Sequence, residues 1–88
     1  MTSNITYSEL GQFLLTLGYV DESGKYLTYR HSIPSALVQM AWHDPNEPVL
    51  QRDLVKVGAL LRLNGLLDRE DFEKWILTTK QQHEAAAG

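Results

Sequence analysis

Residues 25–42, KYLTYRHSIPSALVQMAW, constrain the fold more than any other part of the chain. Two runs rich in β-formers, 25–31 and 36–42, flank the polar, proline-bearing segment Ser32-Ile33-Pro34-Ser35, the composition of strand, turn and strand. Closing that hairpin with His31 opposite Ala36 sets Tyr29 against Val38, Leu27 against Met40 and Lys25 against Trp42. One face then holds Leu27, Tyr29, Val38, Met40 and Trp42 and has to be buried. The other holds Tyr26, Thr28, Arg30, Leu37, Gln39 and Ala41, a mixed surface that can lie open.

Helical patterns on either side supply the cover. Thr6 and Glu9 form a T-x-x-E capping box, with Ile5 placed to staple onto Leu10. Leu10, Phe13, Leu14 and Leu17 line one face of a helix over 7–17. Gly18 sits where a left-handed residue ends a helix, and Tyr19 can fold back on Leu14. The segment GYVD gives a first short strand and Glu22-Ser23-Gly24 the turn into the second. After the loop HDPNEP, a helix over 50–63 carries Leu54, Val57, Leu60 and Leu61. Gly65 ends it with Leu66 against Leu61, and Asp68 caps a third helix whose stripe is Phe72, Trp75 and Ile76, with Leu67 as staple. Gly11 and Gly58 lie inside helical runs at about 1 kcal/mol each relative to alanine, which predicts that the first two helices cross closely there. The fold class is α+β, in the order α-β-β-β-α-α, a three-stranded antiparallel sheet with helices packed on one face.

The 88 residues make one domain, 1–80, followed by a tail, 81–88, that offers nothing to bury and is expected to fray. No cysteine is present, which excludes a disulfide framework, a thiolate metal site and a thiol nucleophile. Neither a signal-peptide pattern nor an apolar run of about 20 residues occurs, and the expected setting is cytoplasmic. Eight Lys and Arg stand against eleven Asp and Glu, a formal charge of −3, which counts against a phosphate-gripping surface.

The layout resembles the HicA-like (YcfA-type) toxins, short mRNA-cleaving proteins of toxin–antitoxin pairs with the double-stranded-RNA-binding-like fold. The resemblance runs from about Glu9 to Trp75. It rests on LLTLGY closing the first helix, a glycine hairpin into KYLTYRH, LVQMAWH as third strand, a proline-bearing loop into the second helix, and GLLDREDF after it. It implies an RNA-directed protein with an antitoxin-like partner and, if an enzyme, a metal-independent endoribonuclease without cofactor. The family places its catalytic histidine just after the hairpin glycine. Here that neighbourhood reads Gly24-Lys25-Tyr26, and the departure predicts a divergent relative that has lost the standard nuclease chemistry.

His31, at the far end of the same strand and ~17 Å away at strand rise, is the candidate catalytic residue, since histidine titrates near neutrality. By alternation it shares the helix-facing side, while Arg30 points the opposite way. Lys25, Tyr26 and Arg30 are the candidate RNA contacts on the open face, where a ring can stack a base and a guanidinium can pair a phosphate. Arg52 and Lys56 follow one turn apart on the second helix, with Asp53 between them. His43, Asp44 and Glu47 are too weak a constellation for a metal site, and a loop capping the second helix is the simpler reading. Trp42 and Trp75 read as core aromatics that would mark a partner-binding patch if both were exposed. Two function classes stand side by side. One is a HicA-like protein acting on RNA; the other is a non-enzymatic module that holds a protein on its open sheet face or on the acidic surface around 68–73.

Overall fold

Six elements follow in the order that the apolar pattern predicts: α1 (Tyr7–Thr16), β1 (Val20–Asp21), β2 (Leu27–His31), β3 (Ala36–Met40), α2 (Gln51–Leu63) and α3 (Arg69–Ala87). The computed structural model describes residues 5–32 and 35–87, with side chains through residue 82. Ile33 and Pro34 of the expected turn therefore lie outside the described residues.

Local chemistry sets the helix ends. The Thr6 hydroxyl accepts the Glu9 N–H at 3.2 Å, and the Glu9 carboxylate accepts the Thr6 N–H at 2.9 Å, the reciprocal closure of a capping box. At the other end Gly18 adopts φ 99°, the Gly18 N–H donates to Leu15 C=O, and the Tyr19 N–H donates to Leu14 C=O. The same closure ends α2, with Gly65 at φ 69° and the Leu66 N–H donating to Leu61 C=O at 2.9 Å. The helical backbone of α3 continues through the last residues to Ala87, whose side chains lie outside the described residues.

The strands form one antiparallel sheet in the order β1-β2-β3. Its long hairpin pairs His31 with Ala36, Tyr29 with Val38 and Leu27 with Met40, the register set by the apolar alternation. Two details depart from the sequence expectation. The sheet stops at Leu27 and Met40, so the Lys25–Trp42 pair does not form; Lys25 and Tyr26 lie in the turn and Trp42 lies beyond the sheet, half exposed. The turn supplies its own bonds instead. The Asp21 carboxylate accepts the Ser23 N–H at 2.8 Å, and the Ser23 hydroxyl accepts the Thr28 N–H at 3.0 Å. Such side-chain bonds compete with ladder pairing. Similarly, β1 begins only at Val20, because the Gly18 and Tyr19 amides are used in closing α1.

The sheet's buried face, Tyr29, Val38 and Met40, packs with Leu10 and Leu14 of α1 and with Leu54, Val57 and Leu61 of α2. Phe13 stacks on Trp75 at 4.2 Å between ring centres, tying α3 to α1. Trp75 is thus half-buried, whereas Trp42, expected in the core, is not. Nor do the helical glycines mark a crossing of α1 and α2, as the sequence suggests: each faces an aromatic ring of another element. A Cβ at Gly11 would collide with the Tyr29 hydroxyl from the sheet, and one at Gly58 would stand 2.8 Å from the Phe72 ring of α3. Each glycine makes room for an aromatic ring. Among the described residues no helix is long and apolar enough to cross a membrane.

Candidate interaction face

Because the helices cover only one side of the sheet, the other presents its alternate residues to solvent. The pairings Val20–Arg30 and Arg30–Leu37 place these three side chains in one row across all three strands. Val20 is 56% and Leu37 45% exposed, so an aliphatic group flanks Arg30 on each side. The Arg30 Nε donates to a Glu22 carboxylate oxygen at 2.8 Å. In water such a pair adds little stability, but it removes the net charge from the centre of the face. Thr28 and Gln39 form the next row, joined by a 3.4 Å hydrogen bond, and Tyr26 stands exposed at the turn.

The sequence-derived candidates do not gather into one site. His31 lies on the helix-facing side, opposite to Arg30, as alternation requires. Its Nε2 is 3.0 Å from the Leu17 carbonyl, which can only accept, so Nε2 carries the proton there. Its ring meets Tyr19 edge-on at 5.1 Å. His31 thereby satisfies a carbonyl at the end of α1 that the helix leaves unpaired. Lys25 and Tyr26 sit in the β1–β2 turn rather than in a strand. The Lys56 ammonium donates to the Gln39 carbonyl of β3, placing a charge on an otherwise open sheet edge. Arg52 is exposed on the first turn of α2. Of the five proposed RNA contacts, Arg30 and Lys56 are engaged within the chain.

A cluster that the sequence did not reveal joins α1 to the 43–48 loop and α2. The Tyr7 hydroxyl donates to the Asp53 carboxylate at 2.6 Å and accepts the Leu50 N–H at 3.3 Å. His43 stacks flat on the Tyr7 ring at 4.4 Å, and its Nδ1 is 3.3 Å from Glu47. Burial, reinforced by the hydrogen bond to Asp53, pushes the Tyr7 phenol up from 10.0 to about 12. The Asp44 backbone N–H and then His43 hold Glu47 below the usual carboxylate range. Residues 46 apart in sequence meet here, a separation for which composition offers no signal. Leu50 has no capping side chain, so Asp53 and Tyr7 organise the start of α2 in its place. The loop is also pinned to the start of α1 by backbone bonds, Val49 N–H to Ile5 C=O at 2.7 Å and Tyr7 N–H to Glu47 C=O at 3.0 Å.

Chemically, the Tyr7 cluster is a structural clamp. Among the described residues no three metal-ligating side chains converge. The open face has the opposite character: two aliphatic groups without cover, Val20 and Leu37, on either side of the Arg30–Glu22 ion pair. No family model matches the chain, and no curated protein or solved structure matches it.

Proposed function

We propose that this chain is a divergent HicA-like protein that works in the cytoplasm by holding a protein partner against its open sheet face, without cutting RNA. The observation that carries this reading is the uncovered row Val20–Arg30–Leu37, in which Glu22 neutralises the one cation. A neutral, partly aliphatic face suits a protein surface better than a polyphosphate. The position at which the HicA-like resemblance would put a catalytic histidine is Lys25 or Tyr26, and His31 is occupied with the Leu17 carbonyl.

The test is co-expression of the tagged chain with the product of the adjacent reading frame, the antitoxin-like partner that the resemblance suggests. A stable complex is expected, and Leu37→Asp or Val20→Asp abolishes it. Recovery of nucleic acid with no protein overturns the reading.

The exposed Tyr26 ring next to Lys25 favours a second reading, weak binding of single-stranded RNA at the turn by stacking. It predicts a low-salt gel shift lost in Tyr26→Ala. Cleavage of RNA, or slowed growth on expression that depends on His31, would restore the nuclease reading.

A further inference from the structure

The seam between α2 and α3 holds a groove of about 410 Å³, apart from the open sheet face. Its floor is apolar, made by Leu54, Gly58, Phe72 and Ile76, and Val55 forms a wall that is 61% exposed. Gly58 matters because its missing side chain lets Phe72 sit deep in the seam, leaving a channel above the ring. Along α3 the lining runs from Arg69 to Lys80, about 16 Å at helical rise, or three turns.

The charge around this groove runs against the rest of the molecule. The chain carries eight Lys and Arg against eleven Asp and Glu, a net −3. The groove takes three cations, Arg62, Arg69 and Lys80, against one anion, Glu73. Glu73 is paired with Arg69 at 3.1 Å. Arg62, at the end of α2 beside the α2–α3 connection, and Lys80, near the opposite end, make no ion pair among the described residues.

We propose that the α2–α3 groove is a second docking surface, separate from the open sheet face, and that it takes an amphipathic helix of a partner protein with acidic residues flanking its apolar stripe. Apolar side chains at i, i+4 and i+7 fill the channel over Phe72. The acidic flanks meet Arg62 at one end and Lys80 at the other. A nucleic acid would want its cations along the groove rather than at its ends over an apolar floor. A second copy of the chain, set groove to groove about a two-fold axis, would bring the same basic rim against itself.

The test is selection of a displayed library of 15-residue helical peptides on the intact protein, followed by fluorescence anisotropy of the selected peptides. Expected are peptides with acidic flanks, whose affinity falls about tenfold or more on Val55→Asp and on the double variant R62E/K80E. Leu37→Asp on the sheet face leaves that affinity unchanged. Val55 is exposed, so its variant keeps the fold, checked by an unaltered melt. Any of these outcomes overturns the proposal: no peptide selected; selected peptides without acidic bias; binding that survives Val55→Asp; or polyuridylate binding that needs Arg62 and Lys80 and is insensitive to Val55→Asp. Concentration-dependent dimerisation of the chain alone, lost in Val55→Asp, overturns it in favour of a second copy.

Discussion

The two sides of the sheet are built from alternate residues of the same strands, yet they do different work. On the roofed side Val38 is fully buried, and Tyr29 and Met40 nearly so; on the open side Leu37, next to Val38 in sequence, and Val20, paired with Arg30, face water. Period-two geometry gives each strand two unrelated environments. Apolar content alone therefore does not mark the core. The roofed side carries stability, and the open side is free of that constraint.

The sharpest way to break this contrast is one charge placed on each side. Val38→Asp buries an unpaired carboxylate and is expected to cost more than about 4 kcal/mol, a large share of the stability of a small domain. Loss of the cooperative urea transition measures it. If the protein tolerates that change, the roof is not where the structure puts it.

The Tyr7–Asp53 bond tests the roof's polar joint. With the phenol pKa raised from 10.0 to about 12, the folded state holds the proton more tightly than the unfolded state. Burial is the larger cause of this shift and the bond to Asp53 the second; together they link ~2–3 kcal/mol of stability to pH, fully present below pH 10 and lost as pH rises towards 12. Tyr19 and Tyr29, whose pKa values burial also raises, act in the same direction. Chemical denaturation between pH 9 and 12 should show stability falling, with a shallower fall in Tyr7→Phe. That variant is also less stable at pH 7 by about 1–3 kcal/mol, because Asp53 keeps its burial and loses its donor.

Gly58→Ala sharpens the comparison from the helical side. The added carbon meets the buried Phe72 ring, and overpacking of about 1–2 kcal/mol outweighs the gain in helix propensity. The melting temperature falls. A rise would mean that Phe72 has room to move.

Smallest of all is Leu37→Asp on the open side, expected to change stability by less than about 0.5 kcal/mol while removing partner binding. A large loss of stability there would make the open side a second core and sink the functional contrast.

The readable parts of the fold were those governed by neighbours in sequence. Thr6 and Glu9, Gly18 with Tyr19, and Gly65 with Leu66 each close a helix end within a few residues. The hairpin register follows from alternation over a short span. Trp42 misled, because a large aromatic in phase with Met40 reads as core, while the strand had already ended. Gly11 and Gly58 were readable as close-approach positions, but not for what approaches them. The Tyr7–His43–Asp53 cluster was not legible at all, since its members come from three separated segments and none forms a motif.

Sequence by itself determined how α1 starts, how α1 and α2 end, how β2 pairs with β3 and which of their paired residues face the roof, because capping and alternation act over a few residues. Only the tertiary structure decided that His31 is held by Leu17, that Glu22 neutralises Arg30, and that three cations gather around the α2–α3 seam of an acidic chain. Those outcomes depend on distances between elements, and no local rule fixes how far apart two helices or a strand and a turn come to rest.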